Sequence, residues 1–456
     1  MRVKRWAAAL LCVLLVVSCF SLPAQAATFT ANVNTTCHAI FMQNLDTGIV
    51  VYEKNSTEKM YPASTTKIMT YIVTVENVPD VKNTKVIVEQ DVLDELLGTG
   101  SSLSGLEHFT GEAVTVYDLL NCLMIKSGND AALVLADYIG EGSVQKFIDM
   151  MNDKAKELGC KNTHFVNPHG LHDEDHYTTA ADLAVIMQYA QTLPDFNEIC
   201  STVSTYISVD ADKEYPLITT NYLIDQVNGG DYYYPYCKGG KTGTTDEAGY
   251  CLCTTASNGG YTYMCIAMGA PSVNEDGTEV ETNGAMVDSK NMYEWAFDTL
   301  ELKSVIDEKT PVCEIPIELA WDQDTVQLVS QGSFSTLLPN DVETSSIDIK
   351  TEIPDSLTAP VIEGNVIGTA TVSYANQELC KVNLIAAETV ERSKMLFFLE
   401  SAKKILKSRW MILAISIVVI LFIIYIILTQ IYNSRKKKNK KMKDKKRRRA
   451  SSKKDK

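Results

Sequence analysis

Ser64 and Lys67 form the pattern S-x-x-K, preceded by Tyr61-Pro62-Ala63. A serine hydroxyl is a weak nucleophile until a neighbouring base takes its proton, and a lysine is such a base only when its amine is largely neutral. Burial and a second nearby cation both favour the neutral amine. Pro62 suits the entry to a helix, which would set Ser64 and Lys67 three apart on its first turns, facing the same way. Alone the pattern is common, and a solvated surface pair fits it equally well.

Two further elements raise its standing. Ser127-Gly128-Asn129 is followed by Asp130 and an apolar run from Ala131. A serine and an asparagine two apart on a turn can both face a cleft, the hydroxyl relaying a proton and the amide orienting a peptide carbonyl. A plain helix cap is the other reading of those two side chains. Lys241-Thr242-Gly243-Thr244 follows Lys238-Gly239-Gly240. On a strand beside the cleft, Lys241 and Thr242 can bind a substrate carboxylate, and Gly243 removes the side chain where substrate backbone passes. The amides of Thr244 and Ser64 can then form an oxyanion hole.

These residues need a scaffold. Strand-like segments Ala39 to Gln43 and Ile49 to Tyr52 flank the turn signal Asp46-Thr47-Gly48. Helical patterns follow over Thr65 to Glu76, Val116 to Ile125, Ala131 to Ile139, Val144 to Leu158 and Ala180 to Leu193. Lys238 to Thr244, Gly249 to Thr255 and Tyr261 to Met268 read as consecutive strands, closed by a helix from Ala285 to Leu302. Strands at both sequence ends with helices between predict a mixed sheet completed by the two termini of the domain. Residues 310 to 390 show short β-rich runs such as Thr325 to Val329 and Ile367 to Tyr374, which read as a small all-β domain.

The ends of the chain carry different signals. Arg2, Lys4 and Arg5, an apolar run from Ala7 to Val17, and Ala24-Gln25-Ala26 predict a secretory signal cleaved near Ala27. Val16-Val17-Ser18-Cys19 offers a lipoprotein-type alternative in which Cys19 is lipidated. Trp410 to Tyr432 holds no charged residue and is long enough to cross a bilayer core. Before it, Met395, Leu396, Phe398, Leu399, Ala402, Ile405 and Leu406 recur at helical spacing among lysines, the pattern of a juxtamembrane amphipathic helix. After it, Arg435 to Lys456 carries 15 Lys and Arg against two Asp. Beside a span, such a run predicts a cytoplasmic tail held by anionic lipid, with the large domains outside. The chain's formal charge is −15, which leaves about −31 for residues 27 to 434 and makes that part a poor candidate for binding nucleic acid.

The expected organisation is a signal peptide (1–26), a large domain (27–305), a small all-β domain (306–390), an amphipathic helix (391–409), a transmembrane helix (410–432) and a basic tail (433–456). Cys12 and Cys19 leave with the signal. The ten other cysteines are scattered singly, and Cys251-Leu252-Cys253 places two on one face of a strand, so mostly buried free thiols are expected.

S-x-x-K, then S-x-N about 60 residues on, then K-T-G about 110 further, is the signature order of penicillin-binding proteins and serine β-lactamases. Pro62 to Thr70, Ser127 to Ala132, Phe165 to Leu171 and His176 to Ala180 resemble the low-molecular-mass D-alanyl-D-alanine carboxypeptidases. Ala359 to Gly364 and Gly368 are similar to that family's C-terminal domain. The resemblance covers roughly residues 30 to 405. It implies an α+β (α/β/α) penicillin-binding-protein/β-lactamase-like transpeptidase domain followed by a small all-β domain. It implies a cell-membrane enzyme, its catalytic domain outside, that removes the terminal D-Ala from peptidoglycan stem pentapeptides. Ser64 would be the acyl-ester nucleophile, Lys67 the general base, Ser127 the proton relay and Asn129 a positioning group. Lys241, Thr242, Gly243 and Thr244 would bind substrate, and β-lactams would inhibit.

Some features depart from the family or suggest other readings. Relatives commonly end in an amphipathic anchor rather than a full span, and some carry His where Thr244 stands. His169, His172 and His176 lack the H-E-x-x-H spacing, so neither metal nor cofactor is expected. Class A β-lactamases usually show S-D-N, and this chain has no E-x-x-L-N segment. An endopeptidase or transpeptidase would use the same acyl-enzyme. A penicillin sensor without turnover is the remaining alternative, and the short tail and intact Ser64, Lys67 and Ser127 argue against it.

Overall fold

The computed structural model describes residue 29 and residues 31–210, 213–274, 276–343, 346–374 and 377–451. The expected signal peptide, with Cys12 and Cys19, lies outside the described residues. The chain divides into two compact units. One runs to Val305 and takes in 335–348 and 372–380; the other comprises 306–334, 349–371 and 381–456.

In the first unit, Ala39–Asn44 (β1) and Val50–Lys54 (β2) form a hairpin beside Cys237–Thr245 (β3), Gly249–Asn258 (β4) and Tyr261–Ala270 (β5). The spatial order is β2-β1-β5-β4-β3. Every ladder in it is antiparallel, not mixed as the sequence pattern suggested. The reason lies in the connections. Parallel neighbours need a crossover, whereas β1–β2 and β3–β4–β5 are joined by short turns, and the long helical excursion separates β2 from β3.

Both faces of this sheet are covered. Phe41, Cys251, Cys253, Met264, Ile266 and Met268 point into a core shared with the helices Lys67–Asn77 (α1), Val116–Met124 (α2), Asn129–Gly140 (α3), Val144–Glu157 (α4) and Ala180–Ala190 (α5). Their strand neighbours Ile40, Met42, Leu252, Cys265 and Ala267 pack against Met286, Met292, Tyr293 and Ala296 of Gly284–Thr299 (α6). Side chains alternate across a strand, so a strand buried on both faces reads as a nearly continuous apolar run. The layering is α/β/α.

Helix α1 is the central element. Lys67 through Thr74 are all buried, so its first two turns have no solvent face. Its polar side chains therefore bond to backbone: Thr70 Oγ1 to the Pro168 carbonyl, Thr74 Oγ1 to the Thr70 carbonyl and the Tyr71 hydroxyl to the Pro194 carbonyl. All ten described cysteines are free thiols, and Cys251 and Cys253 share one buried face of β4 as expected.

In the second unit, Pro311–Glu318 pairs antiparallel with Thr325–Ser330, whose far edge pairs with residues 384–386. Ile315, Ile317, Val326, Leu328, Val361, Ala370 and Leu384 form its core. A helix over Lys394–Lys407 exposes Met395, Phe398, Leu399, Ile405 and Leu406. Ser408, with extended backbone, separates it from a second helix, Arg409–Ser451. That helix contains a window with mean hydropathy 3.3, none of it buried, and suffices in length and composition to cross a membrane.

Because both sheet faces are covered, Leu252→Ala on one face and Ile266→Ala on the other should each cost about 2–5 kcal/mol. Thermal melts of the two variants should both show a lowered transition; a sheet open on one side would lose stability for only one of them.

Candidate active site

The segment Ala63–Thr66 is a 3-10 turn, and α1 begins only at Lys67. Ser64 thus sits just before the helix, on a tighter turn than the sequence pattern indicated. Ala63 has φ 47, a left-handed conformation that costs a side-chain-bearing residue on the order of 1–3 kcal/mol. Its neighbours hold it there. The Thr65 hydroxyl donates to the Pro62 carbonyl (2.7 Å) and the Thr66 hydroxyl to the Ala63 carbonyl (2.8 Å). Gly170 lies against the same turn. A Cβ on it would fall 1.9 Å from the Ala63 carbonyl oxygen, and its φ is +90, so only glycine fits.

Lys67 follows the turn, fully buried. Its Nζ lies 2.8 Å from Ser64 Oγ, 2.6 Å from Asn129 Oδ1 and 2.7 Å from the His169 carbonyl oxygen. Burial above all, and the Lys241 cation second, hold its pKa well below the ordinary lysine value, with Asp130 opposing. A neutral amine has two N–H groups and one lone pair. With the N–H groups given to Asn129 and His169, the lone pair faces the Ser64 hydroxyl, and the contact becomes that of a base with its acid.

Ser127 and Asn129 come from the turn into α3. Ser127 has φ 63, and Asn129 is the first residue of the helix. Asp130 anchors the turn: its carboxylate accepts from the Ser104 amide and hydroxyl and from the amides of Leu106 and Ala131. Burial nevertheless raises its pKa.

Lys241 reaches across from β3. It too is fully buried, and donates to Ser127 Oγ and to the Thr242 carbonyl oxygen, each at 2.8 Å. Burial pushes its pKa down to about 7. The Thr242 hydroxyl hydrogen-bonds that of Thr220. Gly243 is the point of contact between strand and the Ser64 turn: a Cβ there would lie 2.9 Å from the Pro62 carbonyl oxygen and 3.0 Å from the Ser64 amide nitrogen. Glycine is needed here for close approach.

All eight residues singled out by sequence thus lie on neighbouring elements of one site. Ser64, Asn129 and Thr244 line a cleft of about 390 Å³, walled also by Ser101, Ser102, Gly170, Leu171 and His172. Lys67 joins it through hydrogen bonds to Ser64 and Asn129, and Ser127 and Lys241, bonded to each other, adjoin it through the chain beside Asn129 and Thr244. Sequence reasoning missed the supports: Asp130 with Ser104, the His169 carbonyl, Thr220, and the contact of His176 with Thr66. Asp130 and the two histidines stood inside segments already noted, but nothing in their types tells which backbone group they meet. The histidines are engaged by protein atoms. Leu171 N–H donates to His169 Nδ1, and His176 uses both ring nitrogens within the fold. Among the described residues, no group of three His, Cys, Asp or Glu is placed to hold a metal.

Comparison with known proteins places this geometry. The sequence profile described as D-alanyl-D-alanine carboxypeptidase matches residues 25–272, and that of the penicillin-binding protein 5 C-terminal domain matches residues 301–392. The chain is 31% identical over 355 residues to the D-alanyl-D-alanine carboxypeptidase DacF of Bacillus subtilis, covering 78% of this chain and 86% of that one. Among solved structures, penicillin binding protein 5 from Haemophilus influenzae has a TM-score of 0.58 at 25% identity, covering 80% of this chain and 100% of its own. The Streptomyces K15 DD-transpeptidase has a TM-score of 0.52 at 28% identity, covering 59% of this chain and 99% of its own.

The lysine pair makes a signed prediction. Lys241 depresses the pKa of Lys67, so replacing it by a neutral group raises that pKa and keeps Lys67 protonated to higher pH. In Lys241→Gln, the acid limb of the rate of acylation by labelled penicillin should move to higher pH. The move is partial, because burial, the larger cause, remains.

Proposed function

The chain belongs to the D-alanyl-D-alanine carboxypeptidase family, and on that premise we propose how its residues carry the reaction. It is a serine-type D-Ala-D-Ala carboxypeptidase with a penicillin-binding-protein fold, of a family that acts on peptidoglycan peptides and binds β-lactams.

The terminal carboxylate of the stem peptide docks on Lys241 and the Thr242 hydroxyl, where an arriving anion favours the ammonium form of Lys241. Ser64 Oγ attacks the carbonyl carbon of the penultimate D-Ala while Lys67 Nζ takes its proton. The developing oxyanion is held by the amides of Ser64 and Thr244. Asn129 has its Oδ1 committed to Lys67, which leaves Nδ2 to donate to a substrate carbonyl. Collapse breaks the peptide bond. The Ser127 hydroxyl, placed by Lys241, hands a proton to the departing amine and is resupplied from Lys67. Water then attacks the Ser64 ester, again with Lys67 as base, and releases the shortened stem. A β-lactam acylates Ser64 by the same first step, and the ring-opened ester stalls there. The observation that carries this reading is the Lys67 amine, 2.8 Å from Ser64 Oγ with its other two contacts taken by fixed acceptors.

The long apolar C-terminal helix suggests a membrane anchor. In our reading residues 410–432 span the cell membrane, 433–456 are cytoplasmic, and the amphipathic segment 391–409 lies at the outer surface. The catalytic domain of 27–305 and the β domain of 306–390 then stand outside.

Purified protein should release D-Ala from a pentapeptide and be labelled by fluorescent penicillin, and Ser64→Ala should abolish labelling and lower release at least about 10³-fold. Labelling without D-Ala release would overturn the carboxypeptidase assignment in favour of a sensor, and transfer to an amine with little hydrolysis would make it a transpeptidase. For orientation, protease added to intact wall-less cells should digest the domains and spare a tag on the C-terminal tail; digestion of the tag refutes the topology.

A further inference from the structure

His176 is buried, outside the cleft, and takes no part in the chemistry above. Its hydrogen bonds nevertheless have a fixed direction. The Val166 N–H donates to Nδ1 at 3.1 Å, so Nδ1 is the acceptor nitrogen and the neutral ring carries its proton on Nε2. Nε2 lies 2.8 Å from Thr66 Oγ1 and therefore donates to it. The Thr66 hydroxyl in turn donates to the Ala63 carbonyl at 2.8 Å. The result is a one-way chain from the Val166 amide, through imidazole and hydroxyl, to the carbonyl of the strained residue directly before Ser64.

Other features keep the chain in place. The ring packs edge-on against Phe165, centroids 5.6 Å apart. Two residues on, Thr178 exchanges both backbone hydrogen bonds with Met60, at 2.8 and 2.9 Å, just upstream of Tyr61-Pro62-Ala63. Gly170 closes the remaining side of the Ala63 carbonyl. Burial holds the His176 pKa down to about 3, so the ring stays neutral, and the Val166 N–H on Nδ1 keeps its proton on Nε2.

We propose that His176 is a positioning residue for acyl transfer: through Thr66 it fixes the Ala63 carbonyl, and so holds Ser64 in line with Lys67. The inference rests on Ser64 being the nucleophile. It assigns a role to a side chain that touches neither substrate nor the reacting atoms. A misplacement of about 1 Å at a reacting group can cost on the order of 10²-fold, so the effect belongs in the chemical step and not in binding.

The test compares His176→Leu, His176→Gln, Thr66→Val and the double variant His176→Leu/Thr66→Val in the full-length protein. His176→Leu removes the donor, whereas His176→Gln keeps an amide N–H near the position of Nε2. Thr66→Val cuts the same chain with almost no change of shape and leaves the histidine in place. Each is measured for kcat and KM of D-Ala release, for the rate constant of acylation by labelled penicillin, and for melting temperature. His176→Leu and Thr66→Val should each lower kcat and the acylation rate about 10–100-fold, with KM within about twofold of wild type. His176→Gln should recover most of the loss, and the double variant should be no worse than Thr66→Val alone. Unchanged kcat in Thr66→Val refutes the proposal, even where His176→Leu fails to fold. So does a His176→Gln no better than His176→Leu, or losses that add in the double variant. Wild type that neither labels nor releases D-Ala would instead overturn the assignment of the nucleophile, a separate failure.

Discussion

Two lysine side chains buried in one small volume set the terms for the rest of this unit. Taking an ammonium ion out of water costs several kcal/mol even after relaxation, and two of them also repel. In the proposed mechanism that cost has a use: it keeps the Lys67 amine neutral often enough to take a proton from Ser64. The compensations are all local. Lys67 has three oxygen acceptors and Lys241 has two. Asp130 supplies a nearby negative charge, and its carboxylate is saturated with four donor groups that fix it. An unpaired cation in this place would be untenable; a fully salt-bridged one would be catalytically useless.

Holding those acceptors in place demands backbone that packing alone would not produce. Ala63 and Ser127, residues with side chains, both adopt positive φ at the two turns carrying the proposed nucleophile and proton relay. Gly243 and Gly170 let strand β3 and the His169 loop touch the Ser64 turn directly. The strain is opposed by the start of α1, which is buried on every side from Lys67 to Thr74. Its polar residues bond outward to loop carbonyls, one of them at Pro168 beside the His169 carbonyl that meets Lys67 and another at Pro194. Core and site are therefore one unit, in which a helix that would ordinarily only fill space carries the proposed base at its first residue.

Much of this was legible in the sequence, for identifiable reasons. S-x-x-K, S-x-N and K-T-G are short because their members act through contacts set by one turn of helix or strand, and such contacts survive in local spacing. The three late strands and the shared face of Cys251 and Cys253 follow from alternation. The antiparallel sheet was missed because strand direction depends on which connections lie between spatial neighbours, and apolar runs carry no such information. The 3-10 turn at Ser64 was hidden by its alanine, since the residue types that normally mark positive φ are glycine and asparagine. His176 and the His169 carbonyl were invisible because their partners, a hydroxyl and an amine about a hundred residues away, are supplied only by the tertiary fold.

The buried thiols near the lysines complete the electrostatic argument. Cys200 and Cys253 both lie close enough to Lys241 for a thiolate on either to raise its pKa and charge it more firmly. Burial pushes Cys200 up to about 12 and Cys253 well above its ordinary value. Both therefore stay neutral at any pH where the enzyme works, and fill space without supplying charge. An aspartate in either place would lock Lys241 as a cation whatever the state of the substrate. With neutral neighbours, Lys241 near neutrality is poised between its forms, and the carboxylate of an arriving stem peptide tips it toward the ammonium.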